Sequence, residues 1–371
     1  MSDFVVSARK YRPQTFDSVV GQKTISATLK SAIKNSHLAQ AFLFCGSRGV
    51  GKTTIARILA KTINCFNPTE NIEACDTCDS CISFNSGNSL GIFELDAASN
   101  SGIDDVRVLI EQVRIAPQIG KYKVYILDEV HGLSTAAFNA FLKTLEEPPK
   151  HAIFILATTE KHKVIPTILS RCQIFDFERI RVNDIADHLA IIASKEGVTA
   201  DPEALHLIAM KADGALRDAL SIFDQVVSFC GNNLTFQDVI HNLHVLDYDY
   251  YFKLLDFFMA EDISSSLLLF NEILEKGFDG QLFLNGLSDH LRSLLMCKDP
   301  RTISLLEVPE SVKERFNEQA KPWGAMQIMR SLHVLSKADV EYKQSKNHRL
   351  LIEIVLMQMC SLQQELEKKK D

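Results

Sequence analysis

The N-terminal half of the chain alternates short, continuously apolar runs with segments of helical period. Ala41–Cys45 is apolar throughout and ends at glycine, which predicts a buried strand. Residues 53–62 follow with Ile55, Ile58 and Leu59 on one helical face. Further strands are predicted at Ile92–Asp96, Tyr122–Leu127, Ala152–Ala157 and Gln173–Phe177. Helices are predicted between them: about Asp104–Ile115, closed by Pro117 and Gly120; Thr135–Leu145, stopped by Pro148-Pro149; and a short one at Ile165–Ser170. Strands alternating with helices predict a parallel sheet covered on both faces.

From about Val182 the pattern changes. Helical period dominates and strand signals disappear, with breaks at Gly197, Gly214, Gly231, near Asp247 and at Gly277. The expected organisation is an α/β nucleotide-binding domain over 1–178, a helical lid over 179–243 and an all-helical domain over 244–371. The C-terminus, with its Glu-Lys-Lys-Lys run, reads as a charged helix end.

Composition changes this picture little. Hydrophobic residues make up 46% of the 371 and charged residues 23%, an ordinary globular balance. No apolar run is long enough to span a bilayer, and the N-terminus lacks the layout of a signal peptide, so a cytoplasmic protein without a membrane partner is expected. The net charge of -7 argues against a surface that is basic all round, while leaving room for a local basic patch.

Candidate chemistry sharpens it. Gly46-Ser-Arg-Gly-Val-Gly51-Lys52-Thr53 fits the G-x-x-x-x-G-K-[ST] pattern between a predicted strand and a predicted helix. Glycines let successive N–H groups of Gly46, Ser47, Arg48, Gly49, Val50 and Gly51 converge on phosphate oxygens, and the helix that carries Thr53 and Thr54 adds its positive end. Lys52 is placed to reach the β- and γ-phosphates of ATP, and the Thr53 hydroxyl to ligate Mg²⁺. Such a loop needs an acidic partner at another strand end. Val124-Tyr-Ile-Leu-Asp128-Glu129 offers Asp128 for the metal's water shell and Glu129 as general base, the alternative being a strand that ends in a solvated acidic turn.

Four of the nine cysteines crowd into one segment, Cys65-x9-Cys75-x2-Cys78-x2-Cys81. That spacing suits a closed, structural Zn²⁺ site. An iron–sulfur run begins in the same way but continues x3-C-P, and residue 85 is Asn; unliganded thiols are the remaining reading.

At this point the residues resemble a family. Ala8-Arg-Lys-Tyr-Arg-Pro13, Phe16 and Val19-Val-Gly21-Gln22 look like the opening of the gamma/tau subunit of bacterial DNA polymerase III, the AAA+ ATPase of the sliding-clamp loader. Glu94-Leu-Asp-Ala-Ala-Ser-Asn100, Asp128-Glu-Val-His131, Leu145-Glu-Glu-Pro-Pro149, Leu156-Ala-Thr-Thr159, Ile168-Leu-Ser-Arg-Cys172 and Gly214-Ala-Leu-Arg-Asp-Ala-Leu220 are similar to family motifs, and the four-cysteine insertion is characteristic of this subunit.

The resemblance implies an AAA+ P-loop domain with a small zinc module at about 64–90, then a lid and a helical collar. It implies ATP-driven loading of the sliding clamp onto primer–template DNA, with delta, delta-prime and further gamma/tau copies as partners. The enzyme class would be a Mg²⁺-dependent ATPase within the DNA-directed DNA polymerase holoenzyme, without a polymerase site of its own. It implies Arg171 as an arginine finger acting on the neighbour's ATP, Thr159 as γ-phosphate sensor with Thr158 as its alternate, and Arg217 as a second sensor on the lid. Ala8, Tyr11, Arg12, Pro13, Val19 and Val20 would wall the adenine pocket, where the plain alternative is core packing of an N-terminal arm. Ser99, Asn100 and Ser101 could meet DNA phosphates or cap the next helix. The extension that the family's tau form uses for polymerase and helicase has no counterpart here, so those contacts are not expected of these residues.

Overall fold

A computed structural model of the chain describes residues 5–367, apart from 98, 100, 101, 244, 245, 247, 307 and 309. The chain forms two compact units, residues 1–228 and 229–371.

In the first unit five strands form one sheet: β1 (Ala41–Cys45), β2 (Ile92–Asp96), β3 (Lys123–Asp128), β4 (Ala152–Thr158) and β5 (Gln173–Asp176). Their spatial order is β2-β3-β4-β1-β5, and every pairing is parallel. All five predicted strands are present, within a residue at each end. Parallel strands need crossover connections, and here these carry helices. They are α3 (Lys52–Asn64) and α4 (Asp79–Asn85) after β1, α5 (Ile103–Val113) after β2, α6 (Thr135–Glu146) after β3, and α7 (Pro166–Leu169) after β4. Before the sheet come α1 (Ser7–Lys10), a 3-10 turn at Phe16–Ser18 and α2 (Lys23–Lys34). After it come α8 (Val182–Glu196), α9 (Pro202–Lys211) and α10 (Leu216–Cys230).

Strand periodicity divides the core between the two faces. Phe42 and Phe44 of β1, Val124 and Ile126 of β3, and Ile153, Ile155 and Ala157 of β4 pack with Leu29 of α2 and Ile55 and Leu59 of α3. The alternate residues Leu43, Tyr125, Leu127, Phe154 and Leu156 pack with Val106, Leu109, Phe138 and Phe141 of α5 and α6. β1 and β4 are buried at every position, which is why they read as unbroken apolar runs. Each such side chain contributes about 1.5–3 kcal/mol by leaving water.

The second unit is helical, with α11 (Phe236–Asn242), α12 (Tyr248–Met259), α13 (Ile263–Glu275), α14 (Gly280–Met296), α15 (Glu310–Ala320), α16 (Ala325–Tyr342) and α17 (His348–Glu367). Its core centres on Phe258, Phe270, Phe283, Leu287, Phe316 and Leu356. Two short strands depart from the all-helical expectation, Thr199–Ala200 in the first unit and Asn233–Leu234 in the second; two residues are too few to leave a periodic signal. Among the described residues no helix is long and apolar enough to cross a membrane.

Candidate functional site

The sheet order makes the site. β4 lies between β1 and β3, so the loop leaving β1 and the acidic end of β3 flank the end of β4 at one edge of the sheet. Ligands of parallel α/β sheets gather at this carboxyl edge. Cys45 stands level with Thr158, and the loop starts at the next residue.

The loop keeps its shape through glycine at two crowded points. Gly46 has φ +151°, and a Cβ there would lie 2.7 Å from the Phe177 carbonyl oxygen. Gly49 has φ +77°, and its Cβ would meet the Ala215 Cβ at 3.0 Å. Gln22, buried, ties the loop to the chain just after β5: its amide nitrogen donates to the Glu178 carbonyl at 2.7 Å and to the Val50 carbonyl at 3.5 Å. α3 then starts at Lys52.

The Lys52 ammonium donates to the carbonyls of Gly46 and Ser47, both at 2.8 Å. Burial lowers its pKa, opposed by the carboxylates of Glu129 and Asp128. The Thr53 hydroxyl donates to Asp128 Oδ2 at 2.6 Å. Glu129 takes a left-handed backbone, φ +49°, at the turn after β3. Its Oε2 accepts from the Thr159 hydroxyl at 3.0 Å and the Thr159 N–H at 3.2 Å, and lies 3.3 Å from His131 Nδ1. His131 also reaches the Thr158 hydroxyl at 3.1 Å, so the two threonines divide between the histidine and the glutamate.

Lys52, Thr53, Asp128 and Glu129 open onto a cavity of about 790 Å³. Arg48, Gly49, Val50, Gly51, Lys52, Thr53 and Thr54 line one side, with Asp128 and Glu129 beside them. Ala8, Tyr11, Arg12, Pro13, Val19 and Val20 of the N-terminal arm also line it. Arg217 lines it from the start of α10, and its N–H points to the Gly49 carbonyl at 3.4 Å. Burial lowers the pKa of Arg12, and Arg57 and Arg217 nearby lower it further. The N-terminal arm is fastened to the helices that follow the sheet: Ser7 N–H donates to Asp224 at 2.6 Å, and the Tyr11 hydroxyl and Lys10 ammonium both reach Glu196 Oε1, at 2.5 and 2.6 Å.

Other expected residues lie outside this cavity. Gly46, Ser47 and Thr159 line a second hollow with His162 and Asp176, and Thr159 is bonded to Glu129 of the cavity. Arg171 is on the surface and donates to Glu146 Oε1 at 2.6 Å, with no place in this chain's own cavity. The Ser99 hydroxyl sits 3.4 Å from Asp96; Asn100 and Ser101 lie outside the described residues. Glu94, Asp96, Ile180, Leu216 and Leu220 also line the cavity and were not anticipated. Glu94 and Asp96 carry a signal in hindsight, being alternate acidic positions at the carboxyl end of a strand.

The four cysteines come together between α3 and α4. Their sulfurs all lie within 4.8 Å of one another, and Cys65 and Cys78 are 4.0 Å apart. Four thiolates at the Zn–S length of about 2.3 Å would stand about 3.8 Å apart, so the donor set fits tetrahedral zinc. Backbone N–H groups of Cys75 and Cys78 point at the sulfurs of Cys65 and Cys75, at 3.3 and 3.4 Å. Hydrogen bonds from Thr77 pull the Cys75 thiol down to about 6, while burial raises Cys65 and Cys81.

Known proteins agree with this architecture. The pattern of the DNA polymerase III delta subunit family matches residues 21–181, that of the DNA polymerase III clamp loader ATPase lid domain 184–232, and that of DNA polymerase III subunits gamma and tau domain III 234–371. DNA polymerase III subunit tau of Bacillus subtilis is 38% identical over 95% of this chain and 62% of its own length. DNA polymerase III subunit gamma of Buchnera aphidicola subsp. Schizaphis graminum is 34% identical over 96% of this chain and 98% of its own length. The chain thus spans less than two thirds of the Bacillus tau subunit. Among solved structures, the clamp loader delta protein of Bacillus subtilis superposes over 90% of this chain and 99% of its own, with TM-score 0.38 and 16% identity. The RuvB branch migration motor of Thermotoga maritima does so over 67% and 78%, with TM-score 0.48 and 19% identity.

Sheet order, glycine-rich loop and acidic strand end define a P-loop fold of the AAA+ class. Within that class, the chain belongs to the gamma/tau family of bacterial DNA polymerase III subunits.

Proposed function

We propose that this chain binds and hydrolyses ATP in the cavity between the P-loop and the N-terminal arm, and that it does so as a motor subunit loading the sliding clamp onto primed DNA in the cytoplasm. The observation that carries this reading is the convergence of Lys52, Thr53, Asp128 and Glu129 on one cavity whose far wall holds Tyr11, Pro13, Val19 and Val20. A nucleotide needs both halves: cations and N–H groups for its phosphates, and an apolar slot for its base.

Each side chain then has a task. Lys52 exchanges its two loop carbonyls for phosphate oxygens. Thr53 Oγ1 and Asp128, already adjacent, are the oxygen ligands suited to magnesium, which would neutralise charge on the phosphates. Glu129 accepts the proton of the attacking water. Thr159, bonded to Glu129 Oε2, lets its orientation respond to the γ-phosphate. Arg217 brings lid cation to the phosphates, and exposed Arg171 serves a neighbouring subunit's ATP in trans. Cys65, Cys75, Cys78 and Cys81 hold zinc as a structural staple. Delta, delta-prime and further gamma/tau copies complete the assembly. Exposed apolar residues on α16 (Met326, Met329, Val340) and α17 (Leu350, Ile354, Met357) are suited to packing against them.

The test is phosphate release with and without sliding clamp and primed DNA. Stimulation by both together is expected, with Lys52→Ala abolishing ATP binding. Full ATP affinity in Lys52→Ala would refute the site.

A further inference from the structure

Glu73 lies two residues before Cys75, yet its side chain works elsewhere. It is buried, with 7% of its surface exposed. Oε2 accepts the Phe16 N–H at 3.0 Å and Oε1 the Asp17 N–H at 3.2 Å. These are the first two residues of the 3-10 turn Phe16–Ser18, whose N–H groups have no partner within the turn. Lys30 of α2 pairs with the same carboxylate at 2.7 Å. Glu73 is itself fixed from behind: its N–H donates to the Thr69 hydroxyl at 3.1 Å, and its carbonyl accepts from the Thr69 N–H at 2.9 Å. Phe16 is fully buried in the core against which α2 and α3 pack. The chain then leaves the turn directly into Val19 and Val20, which line the cavity.

We propose that Glu73 is a positioning residue for the nucleotide pocket: it transmits the order of the four-cysteine loop to the Phe16–Ser18 turn, and so sets where Val19 and Val20 stand. The loop has no residue in the cavity, and this carboxylate bonds it to the turn that leads into the cavity wall. Cys75, two residues on, would hold a bound metal, and its fixation would order the Thr69–Glu73 turn and with it the wall. The inference rests on the reading of the cavity as the ATP site.

The experiment uses the full chain, as purified and after removal of metal with a chelator. ATP dissociation constants are measured by calorimetry, and amide hydrogen exchange is followed at Phe16 and Asp17, with Ile55 and Leu59 of α3 as internal controls. Glu73→Ala should speed exchange at Phe16 and Asp17, leave α3 unchanged and weaken ATP binding about tenfold. Glu73→Gln, which keeps one acceptor oxygen, should fall between it and the parent, and serves if the alanine variant does not fold. Chelation of the parent should reproduce the alanine variant, and chelation of that variant should add nothing, since both act on one link. Unchanged ATP affinity in a variant whose Phe16 and Asp17 amides exchange fast overturns the proposal. So do independent, additive effects of chelation and substitution. Failure of the parent to bind ATP would instead sink the reading of the cavity itself.

Discussion

Thr53 Oγ1 donates a 2.6 Å hydrogen bond to Asp128 Oδ2, joining residues 75 apart in sequence. Thr53 opens α3 after the loop that leaves β1, and Asp128 ends β3, so the contact joins loop and acidic strand end across β4. Thr53→Ser keeps the hydroxyl and should keep most turnover. Thr53→Val keeps the shape and loses the oxygen; steady-state phosphate release should fall by about 10- to 100-fold, with a weaker apparent magnesium affinity. Equal magnesium dependence in the valine variant would contradict the assignment.

Arg171 is exposed and paired with Glu146 on its own subunit. A surface pair of this kind contributes about 0–1 kcal/mol, so Arg171→Ala should leave the melting temperature nearly unchanged. ATP affinity of the isolated chain should also hold. Assembly-dependent hydrolysis should fall by about 10³-fold or more. The comparison is single-turnover phosphate release in the reconstituted complex, and an undiminished rate there excludes the role in trans.

Elemental analysis of the purified chain should find about one zinc and no iron. Cys75→Ser should release it. Loss of the metal should expose the 64–90 segment to protease before the sheet yields, because that segment adds only Phe84 to the core that α3 shares with α2 and the strands. Iron in the preparation would reverse the choice of metal.

The core of the second unit holds a buried histidine. His290 is buried among Tyr251, Phe252 and Phe316, with Nε2 2.9 Å from Gln319 Oε1. Burial pushes its pKa down to about 4, from 6.5. The unfolded chain therefore takes up a proton that the folded one refuses. Stability from this residue is complete above pH 6.5 and is lost as pH falls from there toward about 4, by up to about 3 kcal/mol. Calorimetric unfolding at pH 7 and pH 5 should show the decline, and His290→Asn should flatten it.

Much of this was legible from sequence where chemistry and chain order coincide. The P-loop is eight consecutive residues, the cysteines share one segment, and β1 and β4 read as strands because both their faces are covered. The remainder depends on distance in space. α2 was not anticipated: its apolar residues Ile25, Leu29 and Ile33 sit among threonines, serines and lysines, and only the packed sheet gives their stripe meaning. Glu94 and Asp96 face the cavity because β2 pairs with β3, an order that no local pattern encodes. Gln22 and Glu73 are ordinary polar residues until the backbone groups they satisfy are known. Arg171 lies outside its own subunit's cavity, so only family likeness singled it out.

The left-handed backbone at Glu129 sets selection for endurance against selection for work. A non-glycine residue held at φ +49° costs about 1 kcal/mol or more. Glycine would relieve that cost and delete the carboxylate in the same step. Directed evolution for thermal tolerance alone should therefore drift toward glycine at position 129 and arrive at a sturdier chain that no longer turns over, whereas screening for turnover should hold the strained glutamate in place.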